Sequence, residues 1–85
     1  MARFLIELYV ARDDVAAVVR RVEAVRVAAE ELSGDGLLIR YHRSMFVPED
    51  ETCFLVFEAD RIEDVELAAT QARLAFERIA ELVVV

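Results

Sequence analysis

The chain has 85 residues, enough for one domain over 1–85 and one small core. Its 17 acidic against 10 basic side chains give a net charge of −7. Such an anion repels phosphate backbones and anionic lipid, which argues against nucleic-acid or membrane partners, and a lone cysteine with a lone histidine excludes a disulfide framework or a Cys/His zinc site.

Phe4, Ile6, Leu8 and Val10 alternate with Arg3, Leu5, Glu7 and Tyr9, which predicts a first strand. Met1-Ala2-Arg3 runs directly into it with no leader-like layout, so a cytoplasmic location is expected. Arg12-Asp13-Asp14 opens a helix with an aspartate as N-cap. Its apolar stripe is read as Val15, Val18, Val19, Val22, Val25, Ala29 and Leu32, and Ser33-Gly34-Asp35-Gly36 ends it.

Leu37 to Val47 again reads as strand, and Pro48-Glu49-Asp50 interrupts it as a hairpin loop. The return strand spans Thr52 to Ala59, with Cys53, Leu55 and Phe57 on one face and Phe54, Val56 and Glu58 on the other. Asp60 with Glu63 forms a variant capping box for a second helix. That helix is expected to bury Val65, Ala68, Ala69, Ala72, Phe76 and Ile79, and Leu82-Val83-Val84-Val85 is expected to close the chain as a short strand.

The order βαββαβ, with two crossover units, predicts an α+β ferredoxin-like plait: a four-stranded antiparallel sheet with both helices on one face. The other face would carry Leu5, Tyr9, Phe54 and Val56. An odd-length hairpin loop would add Leu38, Arg40, His42, Ser44 and Phe46. That much apolar surface on a small chain points to a homodimer packed through this face.

Glu7, Tyr9, Arg40, His42 and Glu58 fall on the same face, as a polar cluster within an apolar wall, the usual form of a small-molecule site. Tyr9, Arg40 and Phe54 are the expected ligand contacts. Glu7, His42 and Glu58 form an oxygen and nitrogen donor set suited to a divalent metal such as nickel, zinc or manganese. Simpler assignments stand beside these: Glu58 pairs with Arg40 across the hairpin, Cys53 is a core residue, and Glu49-Asp50-Glu51 is a solvated turn. No glycine-rich phosphate loop, HExxH or Ser/His/Asp arrangement is present. An enzyme of the dimeric α+β-barrel kind, monooxygenase-like or isomerase-like, would have to use Glu7 or Glu58 as general base, raised by desolvation.

Arg3-Phe4-Leu5-Ile6-Glu7 and the stretch from Arg43 to Ala59, with its Cys53-Phe54…Phe57-Glu58-Ala59 ending, resemble a family of small nickel-binding-protein-like proteins, formerly a domain of unknown function. The resemblance implies a ferredoxin-like dimer and, in some members, a bound nickel ion. Glu7 and Glu58 stand at the matching strand positions, and His42 near a histidine that members often carry before the hairpin. Leu55 stands where members often have a second histidine.

Overall fold

The computed structural model describes Met1–Val85. Strand β1 (Ala2–Tyr9) leads to helix α1 (Val15–Gly34), then to β2 (Ile39–Val47) and, through a single 3-10 turn at Pro48–Asp50, to β3 (Thr52–Ala59). Helix α2 (Ile62–Gln71) and β4 (Arg78–Leu82) complete the order. The four strands form one antiparallel sheet in the order β2-β3-β1-β4. With both helices on one face, this is the ferredoxin-like plait. One cluster of 17 buried residues lies between sheet and helices, including Phe4, Ile6, Leu8, Leu55 and Phe57. No helix is long and apolar enough to cross a membrane.

Helix α1 begins as expected: the Asp14 carboxylate accepts from the Ala17 amide at 3.0 Å. A cap of this kind contributes about 1 kcal/mol. The buried stripe is rotated from the expected one. Ala17, Val25, Ala28, Ala29 and Leu32 face the core, whereas Val15 and Val19 are exposed. Three of these five buried positions are alanines, and two of the expected valines fall outside the stripe.

Both helices stop with the same hydrogen-bond motif. At the end of α1, the Leu37 amide reaches back to the Leu32 carbonyl and the Gly36 amide to the Ser33 carbonyl. At the end of α2, the Leu74 amide bonds the Ala69 carbonyl and the Arg73 amide the Thr70 carbonyl. These are Schellman pairs, and each requires a left-handed residue just past the helix. Gly36 supplies it at φ 100°, but in α2 the position is held by Arg73 at φ 55°. With no glycine to mark that stop, the sequence reading runs the helix on. In the structure Leu74 is buried beyond the stop and Phe76 is exposed. Ile79 belongs to β4, which starts at Arg78 instead of Leu82, and Val83, Val84 and Val85 lie past its end. The start of α2 is also corrected. Arg61, not Asp60, is the N-cap and caps with no side chain; the buried Asp64 in the first turn instead accepts from Arg61 at 3.1 Å.

Strand β2 contains the main departure from strict alternation. Val47 pairs with Thr52 across a four-residue loop, which puts Val47, Met45 and Arg43 on the face away from the helices. The register then shifts between Tyr41 and Arg43, a β-bulge at His42. Beyond it Tyr41 opposes Phe57 and Ile39 opposes Ala59 on the core side, while Arg40 opposes Glu58 on the open side. Ser44 and Phe46, expected on the open face, therefore face the helices, and Phe46 packs against the core. The Tyr41 ring meets Phe57 edge-on at 5.6 Å, and its hydroxyl lies 3.1 Å from Ser44 Oγ. Leu38 precedes the strand and is exposed.

A non-glycine residue in the left-handed region costs about 1–2 kcal/mol. Arg73→Gly is accordingly expected to stabilise the fold by about 1 kcal/mol, raising Tm by about 4–8 °C in a thermal melt. An unchanged or lower Tm would show that the Arg73 side chain contributes as much as its backbone costs.

Candidate functional site

The face of the sheet opposite the helices is built from four rows of side chains, read across β2, β3, β1 and β4. Arg40, Glu58, Arg3 and Leu82 make the first row, and Arg43, Val56, Leu5 and Ala80 the second. Met45, Phe54, Glu7 and Arg78 make the third; Val47, Thr52 and Tyr9 end the face beside the hairpin. Leu5, Phe54 and Val56 form the expected apolar floor, extended by Met45 and Val47. Val56 at its centre is only 4% exposed even in the single chain.

The expected donor set is not gathered. Glu7 opposes Phe54 and Glu58 opposes Arg3, so the two carboxylates stand four residues apart along neighbouring strands, or about 13 Å. Glu58 is taken by Arg40, whose Nη2 donates to its Oε1 at 2.7 Å. Glu7 lies 3.7 Å from Arg78 Nε, and His42 Nδ1 accepts from Arg43 Nε at 3.2 Å. No group of three His, Cys, Asp or Glu side chains in the chain is placed to hold a metal ion. Nickel held by Glu7, His42 and Glu58 of one chain does not fit this arrangement.

Electrostatics at Glu58 follow from the same pair. The Arg40 hydrogen bond holds its carboxyl below the ordinary value of 4.5, with Arg3 and His42 adding weaker attraction and partial burial opposing them. A general base working near neutrality needs the opposite displacement. Arg40, an expected ligand contact, thus neutralises the candidate metal ligand Glu58 instead of standing free for a ligand. Cys53 is a core residue, as expected; burial pushes its thiol up and leaves it a poor nucleophile.

Tyr9 lies at the rim, half exposed, with its hydroxyl 3.4 Å from Glu51 Oε2. Glu51 is the residue that sequence reasoning missed. Its backbone is left-handed at φ 49°, its carboxylate accepts from the Arg12 amide at 3.1 Å, and its carbonyl accepts from the Val10 amide. It ties the hairpin to the loop between β1 and α1, and so is no freely solvated turn residue. No local pattern announces this role, because the partners are about forty positions away. On the helix side, a cleft of about 250 Å³ runs between α1 and the outer edge of β2, lined by Arg26, Ala29, Ser33, Ile39 and Tyr41. Its arginines are already paired, Arg26 with Glu23 and Glu30, and Arg40 with Glu58.

The fold is shared with SCO4226 from Streptomyces coelicolor A3(2), whose crystal structure superposes with a TM-score of 0.79 over 99% of both chains at 13% sequence identity. At that identity the likeness establishes the fold alone. No family model matches the chain, and no curated protein matches it.

A carboxylate lowered in the folded state stabilises the fold above its unfolded value, and that stability is lost as pH falls through the folded one. Glu58, with Glu23 lowered in the same way by Arg26, should therefore erode stability as pH drops below about 4.5. Arg40→Ala is expected to return Glu58 toward the ordinary range, read by carboxyl-carbon NMR, and to flatten the acid limb. A Glu58 titration that does not move in the variant would remove the pair as the cause.

Proposed function

We propose that this chain is a cytoplasmic, non-catalytic binding module that works as a homodimer closed through its open sheet face, holding a small apolar-bodied molecule between the two sheets. The observation that carries this reading is the apolar floor of Leu5, Phe54, Val56, Met45 and Val47 on the sheet face that carries no helix, with Met45 and Val47 exposed on it. A short chain buries a modest fraction of its surface on folding, and a second sheet is the economical source of more. The free buried thiol of Cys53 suits a reducing compartment. A divalent-metal version has less support, since Glu7, His42 and Glu58 converge only if a second copy brings them together. Nickel heat in calorimetry that is lost in a His42→Ala, Glu7→Gln double variant would move the reading to the metal.

Light scattering at micromolar concentration should return twice the chain mass. Met45→Glu, at an exposed position on the floor, should shift the mass toward the monomer while leaving the melting curve within a few degrees of the parent. A parent chain that stays monomeric at about 100 μM, a concentration at which even weak biological dimers form, would overturn the reading.

A further inference from the structure

Charge on the open face is opposite in sign to the net −7 of the chain: Arg3, Arg40, Arg43 and Arg78 stand there against Glu7 and Glu58. Both carboxylates are taken. Glu58 is held by Arg40 at 2.7 Å with Arg3 opposite it in the register, and Glu7 lies 3.7 Å from Arg78. Arg43 has no carboxylate within ion-pair distance, and its side chain hydrogen-bonds through Nε to His42 Nδ1 at 3.2 Å. That bond restrains the guanidinium and leaves both Nη groups free, the end of the fork that receives a carboxylate.

Arg43 heads the second row of the face, where Val56, Leu5 and Ala80 follow with no further polar group. The row crosses three strand spacings, about 14 Å. Met45 and Phe54 border it on the third row. A cation thus stands at one end of an apolar strip whose other end is the smallest side chain on the face. Neither sense of docking neutralises this cation. With a two-fold axis along the strands between β1 and β3, Arg43 stands over Ala80 of the second copy; with an axis across the strands between the second and third rows, it stands over Met45.

We propose that the molecule held between the two sheets is an amphipathic monocarboxylate, its carboxylate taken by Arg43 and its apolar body laid along Val56 and Leu5. This rests on the face-to-face dimer and the apolar-bodied ligand proposed above. One unneutralised guanidinium per chain balances one negative charge, and the acidic chain disfavours a dianion, so the head is a carboxylate and not a phosphate. A planar carboxylate matches the guanidinium fork, and a second sheet that excludes water strengthens the charge-assisted bond.

Methyl NMR of Leu5 and Val56 in the full chain at neutral pH locates the ligand and measures its affinity. Octanoate is the probe, with octanamide as the uncharged body and acetate as the head alone. Octanoate should bind about tenfold more tightly than octanamide, and acetate should leave both sets of methyl signals in place. Arg43→Gln should weaken octanoate by about tenfold and leave octanamide within about threefold; Arg43→Lys, which keeps the charge and loses the fork, should fall between. Arg43 is exposed, so both variants should melt like the parent. Equal binding of octanoate and octanamide, or an octanoate affinity unchanged in both variants, would overturn the carboxylate head while leaving an apolar ligand in a dimer intact. A dimeric parent whose Leu5 and Val56 methyls respond to neither amphiphile would overturn the ligand and this inference together, and a monomeric parent would overturn the dimer as well.

Discussion

The composition of the open face depends on a single inserted residue in β2. Phe46 must face the core, because Val47 is locked opposite Thr52 by a four-residue hairpin loop. Strict alternation from there would send Ile39 and Tyr41 out to solvent and turn Arg40 in under α1. The bulge at His42 resolves that conflict by letting two residues oppose one, so both ends of the strand keep their apolar side chains on the helix side. The same shift brings Arg40 onto the open face, where the hairpin register already places Arg43. The ion pair with Glu58 and the position of His42 follow from it.

Much of this architecture was legible from local rules. The period of two in β1 and β3 assigns every residue of those strands to the correct face, and the Asp14 cap and the Gly36 stop bound α1. What was not legible has a common physical source: contacts distant in sequence overriding weak local preference. Arg73 takes a conformation that its side chain disfavours because Leu74 is buried just beyond it and two backbone hydrogen bonds close the turn. Glu51 does the same where its carboxylate serves the loop after β1. The bulge leaves no glycine or proline in the sequence to mark it. For the site, sequence pattern gave the face of Glu7 and Glu58 correctly, but their separation is a matter of register between β1 and β3. A slip of four pairs is invisible until the strands are aligned.

Those two left-handed residues are strained in different settings. Arg73 ends a helix on the surface, where glycine would serve the backbone better. Glu51 holds its conformation while three bonds converge on it: its carbonyl from Val10, and its carboxylate from the Arg12 amide and the Tyr9 hydroxyl. A glycine there would relieve the backbone and lose the carboxylate that joins two loops. Strain offset by several specific bonds marks a position that fixes geometry, and here the geometry is the rim of the open face.

The open face has to meet two opposed demands: an apolar floor wants cover, and a chain that exposes it wants to stay dissolved. The choice of cation bears on both. The chain has no lysine, and four of its ten arginines stand on this face, against two of its seventeen carboxylates. An arginine stem covers apolar surface while its guanidinium remains in water, and the planar head pairs with carboxylates in a fixed geometry. Val56, flanked in the register by Arg43 and Leu5, is nearly inaccessible without any second chain. Lysine would supply charge with a more strongly hydrated head and no fork, and an aliphatic residue would supply cover without solubility. Arginine at the edge of an apolar floor is therefore the residue type that lets this surface be tolerated in water while its planar head binds a carboxylate, as Arg40 binds Glu58.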